Sequence, residues 1–205
     1  MNATTPKSVF LGMTGASGAA YGLRLLAALA ACGCDVTLCV SDSGLLVVRE
    51  ELELVVEGRE ATVAALLARA GAPAAVRVVD PADIGAPAAS GSAAPDAAVV
   101  CPCTMSSAAH IALGTSRNLI HRVADVALKE RRPLVVVPRE TPLSVVHLRR
   151  LLELAEAGAI VLPAMPGFYV RPTSVDDLVD HIAGKVLQAL GFEQHLFRPW
   201  DGGVR

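Results

Sequence analysis

Residues 9–26 read Val-Phe-Leu-Gly-Met-Thr-Gly-Ala-Ser-Gly-Ala-Ala-Tyr-Gly-Leu-Arg-Leu-Leu, and no other stretch of the 205-residue chain restricts the fold as strongly. An apolar run without helical period passes into Gly12, Gly15, Gly18 and Gly22, then into Leu23, Leu26, Ala27 and Ala30 at helical spacing. The pattern predicts a strand, a tight turn and a helix. Glycines let a ligand approach the backbone closely, and free amides at the start of the next helix, with the positive end of its dipole, suit a phosphate. Thr14 and Ser17 add hydroxyls at the same place. The spacing departs from the dinucleotide fingerprint Gly-x-Gly-x-x-Gly, so the turn alone is either an anion site or a crossover that binds nothing.

The alternation continues. Residues 35–40 read as a strand, and Ser41 or Ser43 caps a helix through Leu45, Leu46, Val48, Leu52 and Val55. Residues 61–70 read as helix and 76–79 as strand. Residues 83–95, rich in Gly, Ala, Pro and Ser, are too poor in large side chains to pack alone and form either a surface linker or a binding loop. A strand over 97–101 runs into Cys101-Pro102-Cys103-Thr104-Met105-Ser106-Ser107, a second hydroxyl-rich turn that opens a helix. Residues 118–132 read as a helix stopped by Pro133, 134–137 as a buried strand, 144–156 as a helix and 159–162 as the sixth strand. Thr173 or Ser174 caps a last helix to Leu190, and residues 191–205 form a tail holding Trp200.

Six apolar strands alternating with helices predict an α/β fold: a single domain over 1–205 with a doubly wound, mostly parallel sheet, a Rossmann- or flavodoxin-like three-layer sandwich. The turns after strands one and four then meet at the carboxyl ends of the sheet, where such folds bind ligands.

A net charge of −2 and a pI of about 6.2 argue against nucleic acid or an acidic membrane surface as partner. Only 19% of residues are charged while 53% are hydrophobic, which points to burial beyond one monomer's core and hence to a homo-oligomer. Arg24 and the glycines interrupt what would otherwise resemble a leader, and Pro102, His110, Gly114 and several hydroxyls make residues 97–116 unsuited to a membrane. A cytoplasmic protein is expected. Of five cysteines, Cys32 and Cys34, and Cys101 and Cys103, form two Cys-x-Cys pairs with Cys39 left over, an odd set that suits neither zinc nor a disulfide framework, so reduced, buried thiols and no metal are expected.

Several chemistries lack their residues. The only aspartate pair, Asp176-Asp177, sits at a helix start, no Gly-x-Ser-x-Gly elbow occurs, and His110, His121, His147, His181 and His195 lack ligand spacing. Thr14-Gly15-Ala16-Ser17-Gly18 and Asp42 look like the opening of a nicotinamide oxidoreductase, but Thr173 stands where the Lys of a Tyr-x-x-x-Lys pair after Tyr169 belongs. A non-catalytic nucleotide-binding module stays open. Arg122, Lys129 and Arg139 are expected on the same part of the sheet with Glu140 beside them, a set suited to a phosphate that is bound and then protonated as it leaves.

With these residues assembled, the sequence resembles the UbiX family of flavin prenyltransferases over about residues 8–200. The resemblance rests on Met13-Thr14-Gly15-Ala16-Ser17-Gly18, Pro87-Ala88-Ala89-Ser90-Gly91-Ser92, Cys101-Pro102-Cys103, Asn118-Leu119-Ile120, residues 124–134, Val137-Pro138-Arg139-Glu140 and Pro166-Gly167-Phe168-Tyr169. It implies transfer of a dimethylallyl group from dimethylallyl monophosphate to N5 and C6 of reduced FMN, with the prenylated FMN passing to a UbiD-type decarboxylase. It also implies metal independence and a dodecamer. Gly15, Ala16, Ser17, Ser41, Thr104, Met105, Ser106, Ser107 and Arg139 would hold FMN. Ser90, Gly91, Arg122, Lys129 and Tyr169 would hold the prenyl phosphate, with contributions from neighbouring subunits. Glu140 would protonate the departing phosphate, Glu51 aligns with an active-site glutamate, and Trp200 with an aromatic near the prenyl site.

Two departures from the family pattern stand out. Lys185 replaces an arginine of the phosphate site, giving a point charge in place of a bidentate fork, and Thr104-Met105-Ser106-Ser107 replaces a Ser-rich, Gly-containing turn. Related cysteine decarboxylases of the same fold carry a Pro-x-Met-Asn motif where this chain has Pro138-Arg139-Glu140, and with it a His and a late Cys absent here.

Overall fold

The computed structural model describes residues 6–71, 76–200 and 202; residues 201 and 203–205 of the expected tail lie outside this range. Six strands, β1 (Ser8–Met13), β2 (Asp35–Val40), β3 (Val76–Val78), β4 (Ala97–Cys103), β5 (Leu134–Pro138) and β6 (Ile160–Val161), form one sheet in the order β3-β2-β1-β4-β5-β6. Every pairing is parallel. The helices are α1 (Ala19–Ala31), α2 (Asp42–Glu51), α3 (Arg59–Ala70), α4 (Met105–Ala112), α5 (Leu119–Lys129), α6 (Val145–Glu156) and α7 (Val175–Ala189).

Period-two alternation survives even in the fully apolar β1. Val9, Leu11 and Met13 face a core shared with α1, α2, α3 and α7, whereas Phe10 faces a second core with α4, α5 and α6. The sheet is thus the middle layer of the expected sandwich. Burying each of these large side chains contributes about 1.5–3 kcal/mol, so both faces of the strand hold it in the interior. Strand order reverses between β1 and β4, which opens a crevice at their carboxyl ends.

Several boundaries differ from expectation. The second helix ends at Glu51 rather than reaching Val55, because Glu53 turns to a positive φ of 51° and Val55 is fully exposed. The fifth helix stops at Lys129, where Arg131 is left-handed and the Arg132 amide returns to the Ala127 carbonyl. The fourth strand extends two residues past Cys101, through a register shift, until Cys103 pairs with Pro138. Ser41, Thr104, Asn118, Ser144 and Ser174 cap their helices with side-chain oxygens.

Residues 83–95 do pack: Ala86, Ala88 and Ala89 are buried around a single 3-10 turn against the α5 side of the sheet, and Arg132 donates to the Ala94 and Pro95 carbonyls. Small residues suffice because the helix comes close. All five cysteines are free; four are buried, and Cys32 is exposed, contrary to expectation. On the outside, α6 leaves Val145, Leu148 and Leu152 more than half exposed at spacings of three and four, a strip of one helix face. No helix among the described residues is long and apolar enough to cross a membrane.

Candidate active site

The crevice is built from the turn after β1, both ends of α2, the turn after β4 and the end of β5. Gly15 is required by proximity: a Cβ there would lie 2.5 Å from that of Ser43, in the first turn of α2. Gly18 is required by its φ of 119°. At the other end of α2, the Glu51 carboxylate accepts the amides of Gly18 at 2.8 Å and Ala19 at 2.7 Å. The amides at the start of α1 are therefore not free, as the sequence suggested, but occupied by a carboxylate of the chain itself. Partial burial alone would raise the Glu51 pKa; the Ser17 side chain, the two amides and the Arg139 charge outweigh it and hold the carboxyl below its usual value.

Arg139 closes the crevice from β5. Its amide donates to the Cys103 carbonyl at 3.3 Å and its Nε to the Ser17 carbonyl at 3.1 Å. Exposed Glu140 follows, its Oε1 accepting the Thr141 amide at 3.1 Å. Thr14, expected to offer a hydroxyl to a ligand, is buried instead. Its Oγ1 donates to the Pro102 carbonyl at 2.9 Å and accepts the Thr104 amide at 2.8 Å, stitching the two turns together.

In the second turn, Thr104 accepts the Ser107 amide and Met105 points its side chain into the core. This leaves half-buried Thr104 and exposed Ser106 as the side chains nearest solvent. Ser107 is buried, 3.1 Å from His121 Nε2. His121 Nδ1 accepts the Arg117 amide, and burial, with His110 and Arg117 nearby, pushes its pKa down to about 4. Ser41 accepts the Gly44 amide and lies 3.2 Å from the Ser43 hydroxyl.

Ser90, Gly91 and Lys129 come together elsewhere. Gly91 packs against the ends of Lys129 and Glu130, which are ion-paired, and Ser90 lies 3.1 Å from the Ser92 hydroxyl. Lys129 ends α5, five residues before β5 begins, so it lies at the amino edge of the sheet, whereas Arg139 follows β5 at the carboxyl edge. The expectation that Arg122, Lys129 and Arg139 share one part of the sheet fails within a single chain: a strand's length of about 13 Å separates the two edges. Arg122, two turns back on the same side of α5, pairs with Asp125 at 3.0 Å. A third group joins Tyr169 of the loop before α7, His181 and Lys185 of α7, and Trp200 of the C-terminal tail.

The flavoprotein family matches residues 2–187. The flavin prenyltransferase UbiX of Pseudomonas aeruginosa is 46% identical over 197 residues, which cover 95% of this chain and 94% of that protein. The chain belongs to the UbiX family. The crystal structure of AnUbiX (PadA1) in complex with FMN and dimethylallyl pyrophosphate, 36% identical, superposes with a TM-score of 0.84 and covers 97% of this chain and 99% of the other. The dodecameric FMN-dependent UbiX-like decarboxylase from Escherichia coli O157:H7 gives 0.83 at 40% identity, covering 95% of this chain and all of that one.

Within this UbiX-family crevice, Thr14 and His121 are the residues that sequence reasoning missed as organisers. Thr14 was legible as a hydroxyl but not as an inward-facing one. His121 carried a weak signal, a polar residue on the otherwise apolar face formed by Ile120, Val123, Ala124 and Ala127.

Proposed function

We propose that the chain transfers the dimethylallyl group of dimethylallyl monophosphate to N5 and C6 of reduced FMN, giving prenylated FMN. The observation that carries this reading is the junction of the first turn with the end of β5, where Arg139 holds the Ser17 carbonyl and Glu140 stands beside it. The residues there fit FMN. Hydroxyls at 17, 41, 104 and 106, backbone amides of residues 15–17 and 105, and a half-buried guanidinium suit a heterocycle with carbonyls and a phosphate tail. FMN supplies the nucleophilic ring nitrogen and carbon.

The chain's own groups handle the leaving phosphate. Lys129, with Ser90 and Gly91, reaches it from a neighbouring protomer, since the amino edge of one chain cannot meet its own carboxyl crevice, and Arg122 joins them from the same α5. Tyr169, Lys185 and Trp200 complete the prenyl phosphate site. As the carbon–oxygen bond of the prenyl phosphate breaks, Glu140 gives a proton to the departing phosphate, and fixed cations stabilise the charge that develops. The exposed apolar strip on α6 supports a closed oligomer, a dodecamer in this reading, acting in the cytoplasm and passing its product to a UbiD-type decarboxylase.

The test is anaerobic incubation with reduced FMN and dimethylallyl monophosphate, followed by mass measurement of the extracted flavin. A flavin heavier by one five-carbon prenyl unit is expected. FMN returned unaltered overturns the reading in favour of a binding module.

A further inference from the structure

His181 lies outside the crevice, is only 5% exposed and has no role in the chemistry above. Its ring is held on every side. Nδ1 accepts the Gly167 amide at 3.2 Å, Nε2 lies 3.0 Å from the Tyr169 hydroxyl, and the Phe197 ring packs at 4.7 Å between centroids. Tyr169 meets His181 edge-on and is met edge-on by Trp200 at 6.3 Å. An amide can only donate, so Nδ1 carries no proton, and the neutral ring must carry its proton on Nε2. Burial and the charge of Lys185, one helical turn along α7, both hold the imidazole in that neutral form.

The consequence falls on Tyr169. With Nε2–H donating to its oxygen, the phenol's own proton has to point elsewhere. Tyr169 is 45% exposed, so that proton is available to a ligand. We propose that His181 is a positioning residue that fixes the Tyr169 hydroxyl as a hydrogen-bond donor toward the phosphate of the prenyl substrate, through the tautomer that the Gly167 amide selects. The proposal rests on the reading that Tyr169 holds that phosphate. It also gives the Gly167 turn a purpose: the amide before the tyrosine sets the direction of the hydroxyl after it.

Two substitutions separate the two nitrogens. His181→Asn keeps an acceptor near the Nδ1 position for Gly167 but removes the donor to Tyr169; His181→Gln places an amide N–H near the Nε2 position. Expected for His181→Asn is a KM for dimethylallyl monophosphate raised about tenfold, as in Tyr169→Phe, with FMN affinity and kcat little changed. His181→Gln should recover most of the loss. In Tyr169→Phe, adding His181→Asn should cost nothing more, since the two changes remove one interaction. A His181→Asn KM within twofold of the unsubstituted enzyme, or effects that add in the double variant, overturns the proposal. If His181→Asn fails to bind FMN, His181→Gln decides: an unchanged KM supports the proposal, and a tenfold rise with FMN bound overturns it. A Tyr169→Phe variant with unaltered KM instead overturns the reading that Tyr169 holds the phosphate.

Discussion

The carboxyl-edge crevice and the cationic side of α5 differ in how completely each is finished within one chain. In the crevice, three polar groups answer others across long sequence distances: Glu51 to the Gly18 and Ala19 amides, Thr14 to Pro102 and Thr104, Arg139 to Ser17. On α5, Lys129 and Arg122 pair with near neighbours, Glu130 and Asp125, and such solvent-exposed pairs are weak. The first region is preorganised. The second is held so weakly that a phosphate can take its cations over, and Lys129 stands at the opposite edge of the sheet from Arg139.

Mixing experiments can break that contrast. Lys129→Met and Arg139→Ala should each lower kcat about 10³-fold, because each removes a fixed charge from the departing phosphate or the flavin. If the two groups serve one site from different chains, coassembling the two inactive variants restores crevices that carry neither substitution, about a quarter of them for random pairing. Activity that stays at the single-variant level in verified mixed oligomers would place both groups in one chain. Glu140→Gln should come next, lowering kcat about 10²-fold at unchanged FMN affinity, and mixing with Arg139→Ala should not rescue it, since both residues belong to the same crevice.

The asymmetry also governs how much was legible in the sequence. The mostly parallel sheet, the two turns and their meeting at its carboxyl edge follow from apolar alternation and glycine spacing, which report local conformation and face, whereas Ser17 and Arg139 were brought together only by the family resemblance. Periodicity does not say which edge of the sheet a helical residue reaches. Lys129 was misplaced on that account, although its position five residues before β5 already implied the amino edge. Thr14, His121 and His181 were hidden for another reason. A hydroxyl or imidazole reads the same in sequence whether it meets solvent or a backbone group, and only the partner's position decides.

The preorganised side can be sharpened through its buried histidine. Folded His121 has a pKa of about 4, against about 6.5 in an unfolded chain. Above pH 6.5 neither state binds the proton and the stabilisation is complete. As pH falls toward 4, the unfolded chain takes up a proton that the folded one refuses, and stability declines, by about 2 kcal/mol at pH 5. Urea denaturation at pH 7.5 and 5 should show that decline, and His121→Gln should lose less over the same interval. Equal losses would show that the histidine is not held neutral. Glu51→Gln should cost about 1 kcal/mol at pH 7 by removing the charge at the start of α1. Because the Glu51 pKa is lowered in the fold, that contribution is present above about 4.5 and disappears as pH falls through the folded value, so the two curves should converge in acid.

The smallest expected effect tests the third group, intermediate in its finish. Tyr169 and His181 are fixed as firmly as the crevice, but Lys185 is exposed and carries a point charge where the family pattern has a guanidinium. Lys185→Arg offers two parallel donors to a phosphate and loses less freedom per hydrogen bond formed, so KM for dimethylallyl monophosphate should fall about two- to threefold with kcat unaltered. The direction is informative because the same ammonium also disfavours charge on His181. An arginine keeps that charge, leaving the imidazole neutral and the tyrosine oriented, so a gain would come from geometry alone. An unchanged KM would remove Lys185 from the phosphate site and leave it the single task of keeping His181 uncharged.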